Sequence, residues 1–251
     1  MKKYLITGSS GTVGTAVSLA LLKEGNEVVG ADLKANPHSQ RLNSITIQID
    51  LRDKAAVLEQ LAGDYDAILH LGAHARVPSS IKNPSLARDN IESTFNLLEL
   101  ARQSPETPFI LASSKDVYGN HISTLEDAVH IDYCESPYGA SKIASEALVF
   151  AYNKSYGLNY TILRLSNIYG RYSEADRVLP IFIRKTLEDQ DITVKGADKL
   201  LDFIHIDDVV EGFQLVLEQF SKARNQVFNL ASGKGVSLLE MAHLVQSKLR
   251  G

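Results

Sequence analysis

The chain has no tryptophan and one cysteine, Cys134. A single thiol cannot close an internal disulfide, which agrees with a reducing compartment, and Cys134 is given no role. Long apolar runs are also missing. None approaches the roughly 20 residues of a membrane helix, and the opening MKKYLITGSS lacks the apolar core of a signal peptide, so a cytoplasmic protein away from membranes is expected. Basic charge is not in excess: 26 Lys and Arg stand against 30 Asp and Glu, a formal net charge of −4. That balance leaves no basic stripe to track a phosphate backbone, so nucleic acid is not an expected partner. His205 has no metal-ligand spacing around it, and no metal is expected.

What is present is a chain of 251 residues, 44% hydrophobic and 22% charged, long enough to bury a large core. Short β-branched runs alternate with segments of helical period from the start: KYLIT, a helix over 12–24, then EVVGA. Such alternation builds crossover units and a parallel sheet covered by helices. Val13, Val17 and Leu21 recur every four residues, giving one sheet-facing stripe, and Gly25 falls where a helix end favours a left-handed residue. Further strands are expected at TIQI, AILHL, FILAS and YTILRL, with helices over 54–61, 85–102 and 138–155. Beyond Arg164 the rhythm loosens into a helix over 178–188, strands at ITVKG, DFIHI and VFNLA, and a last helix near Ser237. Asp207 is expected to cap the helix that follows DFIHI. The expected architecture is α/β: a doubly wound parallel sheet over 1–165 that binds a dinucleotide, and a small, shortened substrate-side subdomain over 166–251 interleaved with its last elements.

TGSSGTVG puts Gly8, Gly11 and Gly14, with Thr12 and Val13 between them, at the junction of the first strand and helix. Glycines suit that junction because side chains would keep a pyrophosphate from the backbone, where helix N-terminal N–H groups meet its charge. Asp32 ends the second strand at the distance where a carboxylate receives adenosine ribose hydroxyls. It would repel a 2′-phosphate, which favours NAD, while Lys34 nearby keeps NADP open.

SPYGASK places Tyr138 and Lys142 four residues apart at the head of a helix, on one face. A phenol with a reference pKa of about 10 is a poor base at neutral pH, and a neighbouring ammonium brings it into working range. Ser114, in SSKDVYG at the end of the fifth apolar run, could hydrogen-bond the same reacting oxygen.

In chain order the glycine turn, HLGAHA at 70–75, Asn90 in DNIESTFNLLELA, SSKDVYG, YGASK, RLSNIYG and DFIHIDDVV resemble the extended short-chain dehydrogenase/reductase family of NAD-dependent sugar epimerases and dehydratases. The resemblance covers nearly the whole chain. It implies a Rossmann-type fold and tightly held NAD, with a sugar hydroxyl oxidised transiently and the hydride returned after rotation, elimination or decarboxylation. By the same resemblance Tyr138 is the base, Lys142 lowers its pKa and binds the nicotinamide ribose, and Ser114 holds the sugar oxygen. Asp50 and Leu51 would border the adenine, while Leu71, Gly72, Ala73 and Asn90 would follow the cofactor. Asn167 would meet the substrate diphosphate, with Arg76 as a further substrate contact. A nucleotide-activated hexose is the implied substrate, and a homodimer through the helices over 85–102 and 138–155 the implied assembly.

Two features depart from the family pattern. Family members usually carry an arginine where this chain has Leu201, whose side chain has no forked donors for a diphosphate, and they continue past the position of Gly251. Lys199, Arg171 and Arg177 are the nearby cations. An NAD(P)-dependent dehydrogenase or reductase of a free sugar or small carbonyl compound is therefore a second expectation. A non-catalytic NAD-binding sensor is a third, disfavoured because Ser114, Tyr138 and Lys142 are all kept. Asp116 matches a position where dehydratases and decarboxylases of the family often hold a glutamate, which keeps elimination open beside epimerisation. The plain alternative for Asp116 is a surface pair with Lys115.

Overall fold

The computed structural model describes residues 1–119, 125–127 and 129–250; Gly251, where the expected second subdomain ends, lies outside them. The first half runs β1 (Lys3–Thr7), α1 (Thr12–Lys23), β2 (Glu27–Asp32), α2 (Gln40–Asn43), β3 (Thr46–Gln48), α3 (Lys54–Gln60), β4 (Ala67–His70), α4 (Val77–Lys82), α5 (Ser85–Ala101) and β5 (Phe109–Ser114). The second half adds α6 (Pro137–Tyr156), β6 (Tyr160–Leu165), β7 (Asn167–Tyr169), α7 (Val178–Leu187), β8 (Leu200–His205), α8 (Ile206–Glu218), α9 (Phe220–Ala223), β9 (Gln226–Leu230), β10 (Gly235–Ser237) and α10 (Leu238–Arg250).

The main sheet has seven strands in the order β3-β2-β1-β4-β5-β6-β9, all parallel. Parallel strands are buried on both faces, so their sequences read as continuous apolar runs, and side-chain parity decides which helix layer each residue meets. Ile110 and Ala112 of β5 join a core with Val17 and Leu21 of α1 and Phe213 of α8. Phe109 and Leu111 point the other way, into a core with Leu97 and Leu98 of α5 and Val149 of α6. Order reverses at β1 and β4, and the crevice beyond their carboxyl ends is where such sheets take ligands.

A second sheet, β10-β8-β7, sits beside the ends of the main strands, with α7 and α10 packed over Phe182, Met241 and Val245. The segment ITVKG is not a strand. Ile192 and Val194 pack into this small core as single side chains, and Gly196, at φ +72°, turns the chain before a ladder can form. Asp207 does not cap α8 either. His205, still extended at the end of β8, accepts the Asp207 N–H on Nδ1 at 3.3 Å, and the Asp207 carboxylate turns outward to Arg171 at 2.7 Å. No described helix is long and apolar enough to cross a membrane.

Candidate active site

The turn between β1 and α1 is built by close backbone contact. Gly8 has φ +69°, and a Cβ there would stand 2.6 Å from the Gly72 nitrogen, while one at Gly14 would drive into the Gly8 carbonyl. Gly11 precedes α1 with no side chain capping the helix, so the first-turn N–H groups remain for an anion. Val13 and Gly14 lie behind this surface, and Thr12 Oγ1 donates across the opening to the Tyr172 carbonyl at 2.9 Å.

From this turn a cleft of about 830 Å³ extends between Asp32 and Leu33 at one end and Ala75, Arg76 and Glu174 at the other. Its walls include Gly8, Gly11, Thr12, Asp50, Leu51, Leu71, Gly72, Ala73 and Asn90, so nine of the expected cofactor contacts, with Asp32 a tenth, come together there. Asp32 holds its carboxylate in place by accepting the backbone N–H groups of Ser10 and Lys34, each at 3.0 Å. Asp50 is clamped by Arg52, whose hydrogen bonds hold its carboxyl below the usual range. The size, the bare glycine backbone, the open helix end and the fixed carboxylate fit a dinucleotide. Asn90 turns inward instead. Its Oδ1 accepts the His74 N–H at 2.7 Å and its Nδ2 donates to Ser141 Oγ at 3.1 Å, tying the cleft wall to α6.

Ser114 ends β5, while Tyr138 and Lys142 stand one turn apart at the head of α6, outside the residues that line the cleft. The Tyr138 N–H donates to Ser80 Oγ at 3.2 Å beside the cleft wall, and the Tyr138 phenol lies within electrostatic reach of the Ser114 side chain. Pro137 at the first turn of α6 and Ser136 as its cap, accepting from the Gly139 N–H at 3.0 Å, fix where Tyr138 leaves the helix. Burial pushes the phenol up to about 12; the Ser114 hydroxyl opposes this, Asp116 adds to it, and the Arg177 charge lowers it. Lys142 is buried, and its Nζ donates to the Ala112 carbonyl at 2.8 Å. Desolvation pulls its pKa down to about 8, with the Glu146 carboxylate working in the opposite direction. Asp116 forms the expected pair with Lys115 at 3.3 Å, and its other oxygen accepts the Ser114 hydroxyl at 2.9 Å.

Two expected substrate contacts are otherwise engaged. Arg76 spans to the loop after β7, donating to Glu174 at 2.7 Å and pairing with Asp176, so its forked donors already face carboxylates. Asn167 Nδ2 donates to the Asp202 carbonyl at 2.8 Å, and the Asp202 carboxylate gathers the N–H groups of Ser232, Gly233 and Lys234. The residues that sequence reasoning missed are connectors. His70 touches Thr7 Oγ1 at 2.8 Å and Thr94 Oγ1 at 3.1 Å, and Thr7 Oγ1 accepts the Gly72 N–H at 3.3 Å, joining the ends of β1 and β4 to α5. The His70 position at the end of a buried run was the one available signal.

A parallel sheet with a glycine turn and an uncapped helix end beside a long cleft, together with a serine at the end of β5 and a tyrosine and lysine at the head of α6, defines a short-chain dehydrogenase/reductase type of dinucleotide enzyme. The chain belongs to the NAD dependent epimerase/dehydratase family, whose profile matches residues 4–231. It is 30% identical to a UDP-glucuronate 4-epimerase of Thermodesulfobacterium geofontis over 263 residues, covering 98% of this chain and 80% of the relative. Among solved structures it resembles UDP-glucose 4-epimerase of Thermotoga maritima with UDP-glucose, at 27% identity and TM-score 0.88, covering 98% of this chain and 82% of that one. UDP-glucuronic acid 4-epimerase of Bacillus cereus, in complex with UDP-glucuronic acid and NAD, matches at 28% identity and TM-score 0.84, with 98% and 82% covered.

Proposed function

We propose that this protein is an NAD-dependent nucleotide-sugar 4-epimerase. The observation that carries the proposal is the buried Tyr138 beside Ser114, with a buried Lys142 one turn further along α6. The family resemblance and the similarity to UDP-sugar 4-epimerases support it. Gly8, Gly11 and Thr12 would hold the pyrophosphate, with Val13 and Gly14 shaping the turn behind them, Asp32 the adenosine ribose, Asp50 and Leu51 the adenine, and Leu71, Gly72 and Ala73 the middle of the cofactor. NAD bound there supplies a reversible hydride acceptor for the carbon that bears the reacting hydroxyl.

The protein's own part is proton transfer and orientation. Tyr138 oxygen takes the hydroxyl proton as the carbon is oxidised and returns it to the same oxygen after the sugar has presented its other face. In the present state the phenol keeps its proton at neutral pH; the Arg177 charge lowers its pKa, and the Lys142 ammonium, one turn further along α6, is assigned the rest of the activation. Lys142 has three N–H donors and gives one to Ala112, leaving two for the ribose and the phenolate. Ser114 orients the sugar oxygen. Asn167 and a released Arg76 would serve the substrate's anionic part, with Leu201 contributing no donor.

A second reading, elimination rather than epimerisation, is favoured by one observation: a carboxylate, Asp116, lies against Ser114 and could remove a carbon-bound proton beside the oxidised carbon. Incubating the protein with catalytic NAD and either UDP-glucose or UDP-glucuronate, followed by proton NMR, separates the readings. The C4 epimer without net NADH is expected; a dehydrated product would assign elimination, and steady NADH accumulation would assign a dehydrogenase.

We further propose a cytoplasmic homodimer assembled through the outer faces of α5 and α6. The support is an aromatic stripe across these helices, in which Phe95 and Tyr152 meet edge to face at 6.4 Å and Tyr152 and Tyr156 at 5.0 Å, with Phe95 and Tyr156 exposed. Light scattering at micromolar concentration tests it, with a monomer mass as the overturning result.

A further inference from the structure

Behind the strand that carries Ser114, a polar network is centred on an ion pair shut away from water. Glu146 and Arg164, with side chains 4% and 3% exposed, meet in a forked pair: Nη2 to Oε2 at 2.7 Å and Nε to Oε1 at 3.0 Å. Ser113 donates its hydroxyl to Glu146 Oε1. Arg164 Nη1 continues the network to Tyr118 at 2.9 Å and to the Glu126 carbonyl at 2.8 Å, and Tyr118 donates to Asn229 at 2.7 Å. Replacing a buried ion pair of this kind by apolar residues of equal volume is often neutral or stabilising, so stability alone explains it poorly.

Its location points elsewhere. Glu146 follows Lys142 by four residues on α6, so the two project from one face of the helix. Ser113 is the chain neighbour of Ser114, and its hydroxyl ties the end of β5 to Glu146, one turn past Lys142 on α6. The groups around Lys142 are Tyr138 and Glu146 on its own helix, His70 from β4, the Ala112 carbonyl from β5 and, behind Glu146, Arg164 from β6. His70 is held neutral by burial, so the charge that acts on the ammonium is the Glu146 carboxylate, whose partner is Arg164.

We propose that Glu146 and Arg164 are a positioning pair for Lys142: tied to β5 through Ser113, the fork fixes the face of α6 that carries the lysine and sets the net charge its ammonium meets. The proposal rests on the site assigned above but not on the identity of the substrate. A pair kept only for packing would have no preferred sign. Charge setting has one, because the two partners act oppositely.

The test titrates Lys142 by carbon-13 NMR of its ε-carbon in the NAD-loaded protein without sugar, assigned by the signal lost in Lys142→Met. Glu146→Gln keeps an acceptor for Ser113 and leaves the Arg164 charge unopposed, so Lys142 should give up its proton about one pH unit or more earlier. Arg164→Met leaves Glu146 unopposed, and the titration should move later by a similar amount. The double variant Glu146→Met with Arg164→Met should fall between the two. With a UDP-sugar that turns over, the alkaline limb of kcat should follow the same order. Shifts in the same direction, or no shift in either single variant, would overturn the proposal. If one single variant fails to fold, the other against the double variant still gives the sign. NMR shifts of the expected signs with no turnover on any UDP-sugar would sustain this role while rejecting the sugar assignment.

Discussion

The Ser114 hydroxyl donates to Asp116 Oδ2 at 2.9 Å, and the Tyr138 phenol lies within electrostatic reach of the same serine and carboxylate. A hydroxyl has one proton to give. Asp116 and a Tyr138 phenolate therefore compete for it, and the carboxylate beside Ser114 opposes ionisation of the tyrosine.

Removing that competition should make the tyrosine easier to ionise. In Asp116→Asn the negative charge is gone, the Tyr138 pKa falls, and the acid limb of kcat/KM for the UDP-sugar moves to lower pH. A pH profile unchanged in its acid limb would separate Asp116 from the proton chemistry.

Tyr138→Phe keeps the buried ring and deletes the oxygen. Turnover should drop by between about a hundredfold and ten-thousandfold, the range for a lost acid–base group, while NAD stays bound in the purified protein. Mass spectrometry of the released cofactor and a kcat measurement check the two halves. Full activity in this variant would remove Tyr138 from the mechanism.

Gly8→Ala tests the cradle. Alanine pays strain at φ +69°, and its Cβ meets the Gly72 backbone, so the variant should lose more than about 1 kcal/mol of stability together with most retained NAD. Thermal melts with and without added NAD read both effects. Wild-type melting and cofactor retention would show that the turn can open without cost.

Stability in acid should carry the signature of His70. Burial, with the Lys142 charge adding to it, lowers its pKa from 6.5 to about 3, so between those values the unfolded chain binds a proton that the folded one refuses. Stability then falls as pH drops through that window, by up to about 1.4 kcal/mol per pH unit from this group, and levels off below it. Denaturant unfolding of the wild type and His70→Gln from pH 7 to pH 4 should show the shallower slope in the variant; equal slopes would mean His70 titrates normally.

Much of this was written locally. Apolar runs with β-branched residues marked the strands of the main sheet, and period-four stripes such as Val13, Val17 and Leu21 marked the helices, because those patterns state which side of a segment must leave water. Glycine spacing, Asp32 and the Tyr138–Lys142 interval likewise act within one turn or one crossover unit, and the cleft gathers the expected cofactor contacts around them. ITVKG read as a strand for the same reason, since Ile192 and Val194 needed burial. The absence of a ladder partner for that segment is not a local property.

What the sequence determined by itself was the order of layers, the glycine turn and the head of α6, all consequences of side-chain period and backbone sterics. What the tertiary structure decided was pairing. Arg76 meets Glu174 and Asp176, Glu146 meets Arg164, and His70 joins Thr7 to Thr94 only because the strand order β3-β2-β1-β4-β5-β6-β9 brings distant segments side by side. A charge or hydrogen bond acts over a few ångströms of space, whatever the separation along the chain. The sequence could name these groups, and the fold alone could choose their partners.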